Sequence, residues 1–377
     1  MRKRSDLRLT AEVVFPKGTK RRCFVRRIVK AWRGFIKDAN DKRLAVAVFY
    51  RHWRISFRCP DVSVVVPVYN VEPYVRRCLN SLQNQTLETV EFVCVNDGST
   101  DGSLEILREY ARKDPRFKVI NRKNAGYGAA LNLGFKKARG DYVTTLDPDD
   151  WIEPSAYERL VATAQKFDCD MVKANYWEEG SGAAIKRELF KAFGYLAPFS
   201  PIEQPKIMLT TPAIWAALYR RSFLINNGLA LTERPGSSYQ DTAFTLCCWM
   251  AARRVVLMED AFVHYWRNRA DSATNSGGFI FAVCEECELA RAYLERNLPK
   301  LSVFTTILTE REINTYRWNF NRILPSERLE FCRRWARDLE YERSKGWLDE
   351  KFLPKSHWDI IQKLLSNPED VAKLDRM

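Results

Sequence analysis

The sequence predicts an α/β protein: a doubly wound, mainly parallel sheet flanked by helices, with a basic N-terminal helical arm and a helical C-terminal region. Three observations carry that expectation. Residues 61–150 alternate short apolar runs with helical patterns, as parallel strands joined by crossover helices do. Residues 1–60 hold 18 basic and 4 acidic side chains, a surplus of 14 that equals the net charge of the whole chain. From about residue 279 onward the pattern is helical, with breaks at Pro299, Pro325, Pro354 and Pro368. The expected division is 1–60 as the arm, 61–275 as the sheet domain and 276–377 as the helical region.

The elements follow in order. Val62–Val68 is a β-branched run suited to a strand buried on both faces. Glu72–Gln83 carries Val75, Leu79 and Leu82 at helical spacing. Val90–Val95 reads as a second strand, Ser103–Arg112 as a second helix and Phe117–Ile120 as a third strand. Ala125–Ala138 and Asp141–Leu146 complete the series as a helix and a fourth strand. Between about 155 and 275 helices and short strands mix, with Pro and Gly breaks.

Composition narrows the class. With 46% apolar and 29% charged residues, the chain can build a full core and is not globally disordered. The residues after 60 carry 43 charges of each sign, which excludes the whole-surface basic field of a dedicated nucleic-acid binder. No run reaches the ~20 apolar residues of a membrane span. The stretch from Leu44 to Tyr50 is too short, and too far in, for a signal peptide. A cytoplasmic location is expected. Of ten cysteines, only Cys284 and Cys287 form a CxxC pair, and no second pair or His cluster completes a zinc site. Reduced, buried thiols are expected.

Ligands of doubly wound sheets bind beyond the carboxyl ends of the strands. The first strand ends in Pro67-Val68-Tyr69-Asn70, which suits either a pocket for a planar ring or a plain turn. The second ends in Asn96-Asp97-Gly98-Ser99-Thr100-Asp101-Gly102. Ser99, Thr100 or Asp101 can cap the next helix, but capping leaves Asp97 unexplained. A carboxylate there can accept from a base N–H or a ribose hydroxyl. The fourth strand ends in Asp147-Pro148-Asp149-Asp150, three carboxylates in four residues that repel unless a cation neutralises them. Mg²⁺ or Mn²⁺ prefers such oxygen ligands and leaves positions for phosphate, so Asp-x-Asp suits a metal that clamps a diphosphate. A solvated acidic turn is the alternative. Gly126-Tyr127-Gly128, with Asp147 about 20 residues on, imitates a dinucleotide fingerprint, but Leu131 stands at the third glycine position and the strand is the wrong one.

Together these residues resemble a family-two glycosyltransferase of the GT-A fold, an inverting, nucleotide-sugar-dependent class. The resemblance runs from Val64–Asn70 through Val95–Gly102, Asn124-Ala125-Gly126, Gly140-Asp141-Tyr142 and Leu146–Trp151. It continues through Trp215–Phe223, Tyr239–Phe244 and Tyr265-Trp266-Arg267. It implies that Pro67, Tyr69 and Asp97 hold the base and ribose, with Arg122 or Lys123 nearby. It implies that Asp147 and Asp149 meet Mn²⁺ or Mg²⁺ and the donor diphosphate. Asp241 becomes the catalytic base, and Arg267 reaches the diphosphate. The family's usual donor is a UDP-sugar, and its usual acceptors are cell-envelope, capsular or lipid-linked glycans.

The chain departs from the pattern at three places. Asn96 stands for a frequent Asp, Gln240 for a frequent Glu before the base, and Ala216-Ala217 for residues that are often polar or basic. Gln240 supports the rival expectation, a catalytically inactive, transferase-like binding protein at a membrane surface. The chemistry otherwise divides well: a metal and a cation stabilise the leaving diphosphate, and one carboxylate deprotonates the acceptor. Only three histidines are present, and none sits in a nucleophilic motif. Lys17–Lys37 reads as a basic amphipathic helix with Trp32 and Phe35 on its apolar face. That face suits an anionic membrane surface, through residues 18–37, or packing on the body. The expected location is therefore cytoplasmic, peripheral at the inner face of the membrane.

Overall fold

The computed structural model describes residues 60–236, 239–267 and 280–377. The N-terminal arm, including residues 18–37, lies outside the described residues, as do Cys23 and Cys59.

The first half follows the local sequence patterns closely. Strand β1 (Val62–Val68) is buried along its whole length and leads into helix α1 (Glu72–Gln83), which buries Val75, Cys78, Leu79 and Leu82. Strand β2 (Val90–Asn96) is equally buried. Helix α2 (Ser103–Lys113), strand β3 (Phe117–Asn121), helix α3 (Tyr127–Lys137) and strand β4 (Tyr142–Thr145) follow. These four strands run parallel in the order β3-β2-β1-β4. Apolar runs without alternation give strands covered on both faces, and short βα connections leave the helices to do the covering.

The second half extends the sheet with antiparallel partners. Strand β5 (Trp151–Ile152), helix α4 (Ala156–Phe167), and strands β6 (Met171–Glu179), β7 (Ile185–Arg187) and β8 (Ala217–Arg220) come next. Helix α5 (Arg221–Asn226), helix α6 (Gln240–Ala251) and strand β9 (Val255–Trp266) complete it. The nine-stranded sheet has the order β3-β2-β1-β4-β8-β6-β9-β5, with β7 attached to β6. Strand β8 is antiparallel to both β4 and β6, whereas β6 and β9 run parallel. This mixed sheet, parallel over β3-β2-β1-β4, agrees with the fold that the sequence resemblance implies.

Helices α7 (Ala282–Arg296), α8 (Thr305–Phe320), α9 (Arg328–Ser344), α10 (Lys355–Ser366) and α11 (Pro368–Ala372) form the C-terminal region. Helix α7 joins two cores. Its Ala290 and Leu294 pack with Phe244 and Cys248 of α6, while Val283, Cys284 and Cys287 pack with Ile313 and Tyr316 of α8. Both CxxC thiols are therefore core side chains, and burial pushes Cys284 up to about 12. Arg291 is buried among Glu312, Asp338 (3.1 Å) and Glu342 (3.7 Å), which ties α7 to α8 and α9. Such a network is costly to break, because each charge left behind would be uncompensated. Among the described residues, no helix is long and apolar enough to cross a membrane.

Candidate active site

A cleft of about 1470 Å³ lies at the carboxyl ends of the strands. Strand β4 pairs with β1 only as far as Val65, so the end of β1 opens into it. Pro67, Tyr69, Asp97, Asp147, Asp149, Asp241 and Arg267 all line this one cleft. Arg122 does not. It turns behind the wall, donating to the Ala129 carbonyl (2.9 Å) and pairing with Asp97 (3.2 Å).

The β1 and β2 ends are laced together by their own polar side chains. Asn70, in the left-handed region at φ 50°, accepts from the Thr100 N–H (2.8 Å), and Ser99 Oγ accepts from the Asn70 N–H (3.1 Å). Gly102 is the N-cap of α2 and has no side-chain cap; Asp101 before it accepts from the Ser103 (3.0 Å) and Glu72 (3.0 Å) N–H groups. With these groups spent on the loop, Tyr69 is left 48% exposed on the cleft wall. Asp97 is only 2% exposed and accepts from the Gly126 (2.8 Å) and Ala125 (3.1 Å) N–H groups. It therefore fixes the entry to α3 as well as facing the cleft.

The acidic turn after β4 splits its three carboxylates between two jobs. Asp150 is 1% exposed and accepts from the Trp266 N–H (2.8 Å), pinning the end of β9. Burial and the neighbouring Asp147 and Asp149 hold its carboxyl well above the usual range. Arg77 braces the same turn, donating to the Asp149 carbonyl (2.8 Å) beneath a stack on Trp151 (3.7 Å) and Trp266 (4.5 Å). Asp147 and Asp149 face the cleft, and Asp147 accepts from the Tyr127 hydroxyl (3.0 Å). Among the described residues no group of three or more metal-ligating side chains forms. Two carboxylate oxygens that leave the remaining positions to phosphate and water fit a hard divalent cation.

Asp241 sits in the first turn of α6 and faces the cleft. Burial raises its carboxyl above the usual range, while its own backbone N–H and the charges of Arg311 and Lys173 pull it back. Lys173, on β6, is wholly buried, donates to the Pro212 carbonyl and lies 5.3 Å from the Trp249 ring of α6. Burial lowers its ammonium to about 7.

Gln240, next to Asp241, does not line the cleft. It is 1% exposed; its Oε1 accepts from the Gly128 N–H (2.9 Å) and its Nε2 donates to the Arg234 carbonyl (3.0 Å). An amide satisfies both groups, which a carboxylate cannot. The paired glycines belong to the same arrangement. A Cβ on Gly128 would lie 2.1 Å from the Thr232 carbonyl oxygen, and one on Gly126, at φ +96°, 2.0 Å from that of Arg234. They let the segment before α6 cross the start of α3, so they are not a phosphate cradle. Glu286 of α7 holds that segment too, through Arg234 (3.0 Å) and the Ala243 N–H (3.2 Å).

Arg267 lines the cleft but is paired with Glu178 (2.8 Å), which Arg187 also binds. Those partners, Arg187 first, hold Glu178 at about 2. Ala216 and Ala217 are core residues at the start of β8, whereas Trp215 reaches the cleft and stacks on Tyr265 (5.3 Å, 11°). The largest surprise is a wall supplied by α8 and the turn after it: Arg311, Asn314, Thr315, Trp318, Asn319 and Arg322. No motif marks these residues. Only Trp318 between Arg317 and Arg322 hints at them.

Residues 63–226 match the model of glycosyl transferase family 2. A curated relative, the "Uncharacterized glycosyltransferase EpsJ" of Bacillus subtilis (strain 168), is 34% identical over 214 residues, covering 55% of this chain and 62% of that one. The poly(ribitol-phosphate) beta-glucosyltransferase of Bacillus spizizenii is 30% identical over 223 residues, 58% of this chain and 34% of that protein. The chain thus spans under two thirds of the curated relatives it matches. A solved structure of S. aureus TarS residues 1–349, in complex with UDP-GlcNAc, aligns with 81% of this chain and 92% of that one. Its TM-score is 0.60 at 19% identity, a likeness of fold.

Proposed function

We propose that this chain, which carries a glycosyl transferase family 2 domain, moves a sugar from a nucleoside-diphosphate donor to a glycan hydroxyl with inversion. The observation that carries this reading is the division of one cleft. Tyr69, Asp97, Asp147 and Asp149 stand at the strand ends, and the partly buried Asp241 stands on the separate helix α6. A donor whose base lies against Tyr69 puts its diphosphate toward Asp147 and Asp149. The anomeric carbon then faces the Asp241 side.

In this mechanism the Asp241 carboxylate takes the proton of the acceptor hydroxyl as that oxygen attacks the anomeric carbon. The new glycosidic C–O bond forms, the bond from that carbon to the phosphate oxygen breaks, and its electron pair leaves with the diphosphate. The raised affinity of Asp241 for protons makes it the stronger base, and proton transfer to a positioned side chain is typically worth ~10²–10⁴-fold in rate. Mn²⁺ or Mg²⁺, held through Asp147 and Asp149, supplies charge neutralisation for the leaving diphosphate. Arg267 is available at the rim once the donor competes with Glu178 for it.

UDP is the favoured nucleotide, in line with the UDP-GlcNAc held by the TarS fold relative. A cell-envelope or lipid-linked glycan is the favoured acceptor, in line with the poly(ribitol-phosphate) beta-glucosyltransferase among the relatives. The basic segment 18–37 would keep the enzyme at the inner, anionic face of the membrane. The rival reading, an inactive binding protein, loses its main support because Gln240 faces backbone groups rather than the cleft.

Thermal stabilisation by a panel of nucleotide sugars, with and without Mn²⁺, tests the donor. We expect a UDP-sugar to stabilise in a metal-dependent manner, and Asp147→Asn with Asp149→Asn to abolish that dependence. Equal stabilisation with and without metal in the wild-type protein would refute the assignment of these two residues.

A further inference from the structure

We infer that the wall formed by α8 and the turn after it is an acceptor subsite that selects an acidic sugar. On this view Trp318 supports the sugar ring and Arg322 binds its anionic substituent. The inference rests on the transferase reading and extends it to the acceptor.

Charge is divided across the cleft. At the ends of β1, β2 and β4 the charged side chains facing it are carboxylates, Asp97, Asp147 and Asp149, and at the ends of β6 and β9 Glu178 and Arg267 neutralise each other. On the opposite wall the charged side chains are guanidinium groups, Arg311 and Arg322. Among the described residues, no carboxylate lies within ion-pair distance of either. Arg322 donates to the Tyr239 hydroxyl (3.1 Å), and Arg311 makes one long bond, to the Leu209 carbonyl (3.3 Å). The Arg311 Nε is buried without a partner. Arg322 thus has no carboxylate at ion-pair distance, unlike Arg267 with Glu178 or Arg291 with Glu312, whereas the charge of Arg311 acts on Asp241.

Trp318 adds shape to charge. It is 45% exposed although it lines a cleft, with Arg322 over its ring at 4.1 Å and Tyr239 edge-on at 5.5 Å. The half-exposed indole offers a flat apolar surface that the C–H face of a pyranose can cover. Its position is held from both sides. The Tyr239 hydroxyl donates to Asn319 Oδ1 (2.6 Å), and Asn319 Nδ2 donates to the Ile280 carbonyl (3.1 Å). Tyr239 lies two residues before Asp241 and in the same cleft, so this wall stands on the side of the base, where the attacking hydroxyl belongs. A guanidinium next to a stacked ring binds a carboxylate or a phosphate in the same forked geometry.

The test is binding of three probes to the full-length protein saturated with UDP and Mn²⁺, followed by calorimetry. The probes are a hexuronate tetrasaccharide, a phosphorylated hexose tetrasaccharide and a neutral hexose tetrasaccharide. At least one acidic probe is expected to bind ten-fold or more tightly than the neutral one, and the stronger of the two identifies the anion. Arg322→Gln is expected to erase that preference, and Trp318→Ala to weaken acidic and neutral probes alike. UDP affinity, measured on the same samples, reports whether each variant is folded and whether the donor site is intact. Equal binding of acidic and neutral probes, or failure of both acidic probes to bind, overturns the inference. So does an Arg322→Gln variant that loses UDP affinity and keeps its probe preference, because Arg322 then serves the donor. If UDP fails to bind the wild-type protein at all, it is the UDP assignment of the proposed function that falls, and the probes are read with the nucleotide that does bind.

Discussion

Gln240→Glu replaces one oxygen-and-nitrogen side chain with an isosteric carboxyl, and its cost follows from the two bonds Gln240 makes. The Gly128 N–H can still be accepted, but the atom facing the Arg234 carbonyl at 3.0 Å becomes an oxygen. Ionised, the new carboxylate no longer donates to that carbonyl and sets an acceptor against an acceptor, which costs about 3 kcal/mol at the upper end. Protonated, it donates to Arg234 as the amide does, but keeping the proton costs about 1.4 kcal/mol for each pH unit above ~4.3. Near pH 5 the proton is retained for about 1 kcal/mol; near pH 8 it would cost about 5, so the ionised form and its penalty of about 3 prevail. The sign is that of a carboxyl with a raised folded-state pKa: stability is present at low pH and is lost as pH rises. Urea unfolding of wild type and variant at pH 5 and pH 8 should therefore give a deficit that grows by about 2 kcal/mol. A deficit equal at both pH values would refute the reasoning, since it would mean that residue 240 does not donate to Arg234.

Two further outcomes follow from the same frame. Gly128→Ala places a methyl 2.1 Å from the Thr232 carbonyl oxygen, so the segment before α6 must shift. Overpacking of this kind costs about 1–3 kcal/mol, read as a lower urea midpoint, and unchanged stability would contradict the close approach. Burial lowers Lys173 to about 7 from its ordinary 10.5, so between those values the unfolded chain binds a proton that the folded chain does not. Its contribution to stability therefore rises with pH through that window, and Lys173→Met removes the rise. Between pH 7 and pH 9 the variant should lose about 2 kcal/mol relative to wild type, whatever its starting difference. A gap that stays constant would show that Lys173 keeps an ordinary pKa.

What the sequence disclosed was local. The strand and helix of Val62–Gln83 are legible because β-branched runs and helical spacing act over a few residues, and the observed β1 and α1 have those bounds. The antiparallel β8 between β4 and β6 was not legible, because its pairing depends on contacts tens of residues away rather than on its own four-residue pattern. The same holds at the site. Tyr69, Asp97, Asp147, Asp149 and Asp241 were found as motif residues, and all reach the cleft. Arg122 carried the right charge in the right place in the chain, yet its partner is Asp97. Gln240 looked like a missing carboxylate until its bond to Gly128, 112 residues away, gave the amide a reason. The α8 wall has no motif at all; its residues come to line the cleft because α8 packs on α7 in the C-terminal core.

The central claim is that Asp241 takes the acceptor proton in a transfer whose donor is held elsewhere in the cleft. It is tested most directly by measuring UDP-sugar turnover and UDP-sugar affinity together for wild type and Asp241→Asn, using the donor that stabilises the protein best. The account predicts donor affinity within about two-fold of wild type and turnover lower by ~10²-fold or more. An Asp241→Asn variant that binds the donor and turns it over at the wild-type rate would contradict it.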